Sequence, residues 1–255
     1  MRSAIALLTL AFASIGFAAP IGLEDTPSST VLPGFRSCNR SGVFALTFDD
    51  GPYEYTWDLA QMLNSRGIKA TFFTNGHNFV TTDLNTTTSP TRDGAKTYVE
   101  VLQMLDQLGH EIGSHTYEHS VLVGRTREQI EYQMNEQSDL IFDAIGKRVA
   151  LMRPPEGATD VASDQILHEL GYSNILWDID PLDYNGSTVD EQFKILEDIV
   201  DLDIAGETLG HISLQHDVHP SSVRDLTPRI IDYIRGKNYT FVTVSECLGI
   251  DAYQA

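Results

Sequence analysis

Two adjacent carboxylates, Asp49 and Asp50, stand near the end of the segment ALTFDDGP, Ala45–Pro52. Val43, Phe44, Ala45, Leu46 and Phe48 read as a short buried strand, which Gly51-Pro52 breaks immediately after the acids. The pair therefore sits at a strand's carboxyl end, where α/β folds hold side chains rigidly and the following loop exposes them. Neighbouring carboxylates repel, so an arrangement that keeps both ionised needs a cation or an arginine beside them. Taken alone, the tetrapeptide also reads as a solvated turn, since Asp and Gly are ordinary turn formers. Further on, in GHEIGSHTYEH (Gly109–His119), His115 and His119 are four residues apart. On a helical turn that spacing projects both imidazoles from one face, where they can meet at a metal.

Three more polar clusters follow apolar, strand-like runs: RPPEG at Arg153–Gly157, DIDPLDY at Asp178–Tyr184 and SLQHDVH at Ser213–His219. In this order and spacing the motifs resemble the polysaccharide deacetylase domain (NodB-homology, carbohydrate esterase family 4), most closely that of secreted fungal chitin deacetylases. The resemblance runs from Val43 to Leu248. It implies a metal-dependent hydrolase that removes N-acetyl groups from N-acetylglucosamine residues of chitin or chitooligosaccharides and releases acetate.

Asp50, His115 and His119 are then the metal ligands, one carboxylate and two imidazoles that leave positions open for water and substrate. Zinc is the expected ion, with cobalt a workable substitute. Asp49 becomes the general base, and Arg153 keeps that carboxylate ionised and oriented. His216 resembles the family's general acid; a carboxylate partner would raise its pKa, and Asp183 is the matching position, with Asp180 the alternative. Leu214 is expected to line a pocket for the acetyl methyl group, or simply to be core, and Tyr184 to offer a flat face to a sugar ring. The family's third motif carries a tyrosine whose backbone N–H helps form an oxyanion hole; here that residue is Glu156. The backbone donor survives the exchange, but a negative charge arrives near developing negative charge. Two other readings stand beside the first: a deacetylase of acetylxylan or peptidoglycan, and a catalytically weakened sugar-binding protein.

The elements that must position these residues alternate along the chain. Strands are expected at Val43–Phe48, Ile68–Phe73, Glu111–Gly113, Ala150–Met152, Asn174–Trp177, Ile212–Leu214 and Thr240–Val244. Helical stripes run through Thr126–Ile145, Val189–Val200 and Val223–Ile234, and Thr81–Gly94 reads as a surface loop. With 255 residues, 42% of them hydrophobic, this alternation fits a single α/β domain; the resemblance makes it a distorted (β/α) barrel. Arg2, the apolar run Ala4–Ala13 and small residues at Gly16 and Ala18 read as a secretory signal peptide over 1–18. An N-terminal segment (19–42), the deacetylase domain (43–248) and a C-terminal tail (249–255) follow. The chain's two cysteines, Cys38 and Cys247, are expected to pair in an oxidising compartment. Sequons at Asn39, Asn85, Asn185 and Asn238 fit a secreted glycoprotein. A formal charge of −19 disfavours nucleic acid and acidic membranes as partners and tolerates a neutral polysaccharide. No lipid-anchor tail or membrane span is read, and the protein is expected to be a secreted monomer.

Overall fold

The computed structural model describes residues 34–204 and 207–255. The expected signal peptide and most of the N-terminal segment therefore lie outside the described residues. In chain order the elements begin β1 (Val43–Asp49), α1 (Thr56–Ser65), β2 (Thr71–Thr74), β3 (Thr88–Thr91), β4 (Gly94–Thr97), α2 (Tyr98–Gln107) and β5 (Glu111–Ser114). They continue with α3 (Arg127–Ile145), β6 (Leu151–Met152), α4 (Val161–Glu169), β7 (Ser173–Asn174), α5 (Val189–Val200), β8 (His211–His216), α6 (Thr227–Gly236), β9 (Thr240–Val242) and α7 (Val244–Leu248).

The main sheet is parallel, in the order β7-β6-β5-β2-β1-β8. Because β8 occupies one edge of β1 from Phe44 to Asp49, the other edge is shared: β9 pairs with Val43–Ala45 and β2 with Thr47–Asp49. Past β7 the chain returns to the far side of β8. There Ile179 bridges Ser213, and the Leu214 N–H donates to the Ile179 carbonyl at 2.8 Å. The sheet thus curls into a distorted barrel.

Alternation along β1 sorts its side chains onto two faces. Phe44, Leu46 and Phe48 join the apolar layer beneath the helices, with Leu59 and Leu63 of α1 and Leu102 and Leu105 of α2. Val43 and Ala45 face the barrel interior with Phe73, Leu151, Ile175, Ile212 and Val242. The same period puts Thr47 and Asp49 on the inward face, one above the other. Cys38 and Cys247 are bonded, with Cα atoms 4.9 Å apart, and lie in the interior cluster beside Leu248. A cross-link spanning 209 residues removes a large loop from the unfolded ensemble.

Several boundaries differ from those expected. Thr81–Gly94 is not wholly loop: β3 and β4 form an antiparallel hairpin turning at Arg92-Asp93. Threonine's β-branch favours strand, and the Thr91 hydroxyl ties the turn, donating to the Gly94 carbonyl at 2.6 Å. The last strand stops at Val242 because the Thr243 side chain caps α7, accepting from the Glu246 N–H. The strand expected from Ile68 begins only at Thr71, since Ile68 N–H closes the turn after α1 by donating to Leu63. Asn174–Trp177 contributes only its first residue to a named strand; Ile175 forms a single bridge with Phe35. The stripe from Val223 opens as a wider π turn, and α6 proper starts at Thr227.

His211 shows how the closing strand is fastened. Its Nδ1 meets Asp178 at 2.6 Å and its Nε2 meets Asp203 at 2.7 Å. Burial alone would lower its pKa, but the two carboxylates outweigh burial and raise it. Since the folded pKa exceeds the unfolded value, the stabilisation is complete below the unfolded pKa of about 6.5 and fades as pH rises through the folded one. His211→Ala strands two aspartates and is expected to lower unfolding free energy by about 3–5 kcal/mol in urea titrations near pH 6.

Candidate active site

The carboxyl ends of β1, β5 and β8 meet at one mouth of the barrel. Asp49, last on β1's inward face, points one oxygen at Arg153, whose Nη1 donates to Oδ1 at 2.8 Å. The guanidinium is fully buried and also donates to the Thr47 hydroxyl (2.6 Å) and the carbonyls of Ile175 and Leu176 (both 3.2 Å). It lies 4.3 Å from the Phe73 ring centroid. Arg153 thus fixes the Asp49 carboxylate and leaves Oδ2 facing the cleft. Burial raises the Asp49 pKa, and Arg153 and His216 pull against that without reversing it. The arginine therefore holds one Asp49 oxygen and only partly offsets burial; the result is a carboxylate more basic than a solvated one.

In a continued strand Asp50 would point away from Asp49. Its φ of 77° places it in the left-handed region, which costs a non-glycine residue on the order of 1–3 kcal/mol. The turn brings Asp50 Oδ1 within 3.4 Å of His119 Nε2 and 3.7 Å of His115 Nε2. Asn78 donates to the same oxygen at 3.1 Å. Next door, Gly51 is required by packing: a Cβ there would come within 2.2 Å of an Asp217 oxygen. Asp217 is buried, accepts from the Thr56 hydroxyl, and has its pKa raised to about 7 by burial.

The two histidines do meet, with ring centroids 5.0 Å apart, but not on a helix. They flank a turn after β5 in which Thr116 (φ 65°) and His119 (φ 52°) are left-handed. Asn75 holds this turn by donating to the carbonyls of His115 and Thr116 at 2.5 and 2.7 Å. His115 Nδ1 pairs with the Arg153 carbonyl at 2.8 Å, which leaves Nε2 unprotonated toward Asp50. Burial pushes its pKa down to about 3, so the imidazole is neutral at physiological pH. One oxygen or nitrogen from each of Asp50, His115 and His119 lies within 4.8 Å of the others.

Beside Asp49, on the neighbouring strand, His216 ends β8. Its Nδ1 meets Asp183 Oδ1 at 2.7 Å, and its backbone N–H donates to Oδ2 at 2.8 Å. Asp183 is therefore the partner; Asp180 instead accepts from the Leu182 N–H and the Tyr184 hydroxyl. Burial works against protonation of His216, but Asp183, Asp49 and Asp50 together raise its pKa to about 9.

A cleft of about 320 Å³ lies between these groups, lined by Leu214, Trp177, Tyr184 and Glu156. Leu214 belongs to the core and also presents an apolar edge to the cleft. Tyr184 is half exposed and stands edge-on to His216 at 5.3 Å. Glu156 is exposed at the rim, with φ 59°. The sequence reading missed Trp177, a cleft wall that also stacks on Arg153 at 5.4 Å, and the amides Asn75 and Asn78. Trp177 closes the strand expected from the sequence, and Gly157, twenty residues before it, leaves room for its ring. His219 is half-buried with its ring 5.7 Å from that of His216.

A curled parallel barrel with an Asp-His-His cluster, a buried Asp–Arg pair and an Asp–His pair at one mouth defines a class, and the comparisons agree. The polysaccharide deacetylase family matches residues 36–175, more than half of the chain, which belongs to that family. The match contains the first three motifs; Asp183 and His216 lie beyond it. A chitin deacetylase from Pestalotiopsis sp. is 35% identical over 228 residues, 89% of this chain and 69% of that protein. A probable peptidoglycan-N-acetylglucosamine deacetylase from Arthroderma benhamiae is also 35% identical, over 88% of this chain but 48% of its own length. Among solved structures, the chitin deacetylase from Colletotrichum lindemuthianum superposes with a TM-score of 0.77 at 30% identity, covering 87% of this chain and 95% of that one.

Proposed function

We propose that the protein is a metal-dependent N-deacetylase of chitin or chitooligosaccharides that releases acetate. The observation that carries this reading is that two proton-transfer groups, Asp49 and His216, neighbours across the β1–β8 pairing, line one cleft together with the Asp50-His115-His119 cluster. Zinc is the ion we assign there. Two donors sharing a tetrahedral zinc lie about 3.4 Å apart, and Asp50 stands 3.4 and 3.7 Å from the two imidazoles. Bound zinc, or cobalt in its place, supplies a Lewis acid that makes water acidic near neutral pH and offsets charge on the carbonyl oxygen.

The chain's own groups supply the rest. Asp49, with Oδ1 held by Arg153, takes a proton from the attacking water through Oδ2. His216, kept protonated by Asp183, delivers a proton to the departing nitrogen, which leaves as the amine. The Glu156 N–H is the backbone donor for the developing oxyanion, because Pro154 and Pro155 have none. Leu214 receives the acetyl methyl, and Tyr184 and Trp177 flank the sugar ring. With its side chain exposed at the rim, Glu156→Tyr is expected to change kcat by only a few-fold. A loss beyond about 100-fold in Glu156→Gln, with metal retained, would show that the carboxylate takes part.

Residues 43–248 form the catalytic domain on this reading, with the segment before it tied on by Cys38–Cys247. Secretion as a glycoprotein is supported by that disulfide and by the exposure of Asn39, Asn85, Asn185 and Asn238. No helix among the described residues is long and apolar enough to cross a membrane. Peptidoglycan is the second substrate, favoured by the Arthroderma relative. Acetate release from chitin oligomers, acetylxylan and peptidoglycan, each with and without chelator, separates the readings. We expect release from chitin oligomers that chelation abolishes; release from peptidoglycan alone, or from none, would overturn the assignment.

A further inference from the structure

We propose that Gln133, on α3, is a positioning residue that sets the third metal ligand by clamping the backbone on which His119 stands. The inference rests on the reading that Asp50, His115 and His119 hold a divalent cation. The two imidazoles are not fixed alike. His115 is oriented through its own ring, by the 2.8 Å contact between Nδ1 and the Arg153 carbonyl. Among the described residues no such hydrogen-bond partner stands at His119 Nδ1; the ring's Nε2 faces Asp50 at 3.4 Å. Its direction must therefore come from the backbone, which is left-handed at Thr116 and again at His119. A non-glycine turn of that kind persists only where its surroundings hold it.

Gln133 supplies the hold on the outer side of the turn. Its backbone carbonyl accepts from the Tyr117 N–H at 3.1 Å, and its side-chain Oε1 accepts from the Glu118 N–H at 2.8 Å. The same amide returns a bond, Nε2 donating to Glu118 Oε2 at 2.6 Å. Glu118 is thus gripped at backbone and side chain together, one residue before His119. Gln133 is buried, and one helical turn on Gln137 donates to the Thr74 carbonyl (2.8 Å) and hydroxyl (3.1 Å). The clamp is in this way referred to the end of β2, on the same sheet that carries Asp50. On the inner side, Ser120 N–H donates to the Thr116 hydroxyl at 3.0 Å and completes the loop.

The reciprocal geometry gives a specific test. Zinc affinity of the purified full chain is measured by competition with a chromophoric chelator, alongside the melting temperature of the metal-free protein. Gln133→Ala is expected to weaken zinc binding by about 10–100-fold, the usual effect of removing a residue that orients a ligand. Gln133→Glu sets two carboxylates against each other and is expected to do the same. Glu118→Gln combined with Gln133→Glu swaps acceptor and donor across the contact, and is expected to return affinity to within about three-fold of wild type. Loss in the single variants and recovery in the double supports a positioning role, because a general loss of packing would not be undone by the swap. Unchanged affinity in Gln133→Ala, or no recovery in the double variant at an unchanged apo melting temperature, overturns it. Failure of the wild-type chain to bind zinc would instead remove the metal reading on which it rests.

Discussion

Asp49→Asn is expected to reduce kcat on chitin oligomers by about 10²–10⁴-fold while zinc remains bound. The amide keeps the shape of the carboxylate, and its carbonyl can still accept from Arg153, but it cannot take a proton from water. Wild-type Asp49 has one oxygen committed to Arg153 at 2.8 Å and the other 3.8 Å from His115 Nε2, facing the cleft. Burial makes that carboxylate more basic than one in water, which suits a base working near neutral pH. The same change leaves the guanidinium of Arg153 without a counter-charge in a fully buried site. Stability should therefore also fall, by up to about 3–5 kcal/mol in denaturant titrations. Full activity in Asp49→Asn would remove Asp49 as the base.

His216→Ala is expected to cost a similar factor, about 10²–10⁴-fold, and to flatten the alkaline limb of the pH profile. As the proposed general acid His216 would have to be protonated, and its pKa stands at about 9, so kcat/KM should hold through neutral pH and fall as pH rises past that value. Asp183→Asn removes the partner hydrogen-bonded at 2.7 Å. The His216 pKa then drops, and the alkaline limb moves to lower pH. The same linkage acts on stability: a raised histidine pKa stabilises the fold fully below the unfolded value of about 6.5, and the benefit is lost on passing through about 9. An alkaline limb that stays in place in Asp183→Asn would show that another group reports it.

What the sequence made legible follows from how local each signal was. β1 could be read because its buried run, its two acids and its breaker are contiguous, and the structure needs all three. The Cys38–Cys247 bond was legible because the chain offers no other pairing. His115 and His119 were paired for a helical reason that the structure replaces: left-handed residues bend a turn until positions four apart converge. Left-handed threonine and histidine leave no compositional trace, whereas glycine would have. Arg153, Asp183 and His216 were legible only as members of a set, since each comes from a different strand end. Trp177, Asn75, Asn78 and Gln133 were not, because the partners that place them in the site lie 15 to 41 residues away and nothing near them in sequence marks the contact. Strands as short as β6 and β7, two residues each, carry no period to read, and the β3–β4 hairpin hid in a threonine-rich tract.

Zinc content separates the roles of the two adjacent acids, on which the whole account turns. It should be measured by elemental analysis on wild-type, Asp49→Asn and Asp50→Asn proteins, each purified, loaded and desalted identically. The geometry predicts about one zinc per chain in the wild type and in Asp49→Asn, and a marked loss in Asp50→Asn, as expected for a three-ligand site reduced to two. Zinc lost from Asp49→Asn and kept by Asp50→Asn, or absent from all three, would contradict it.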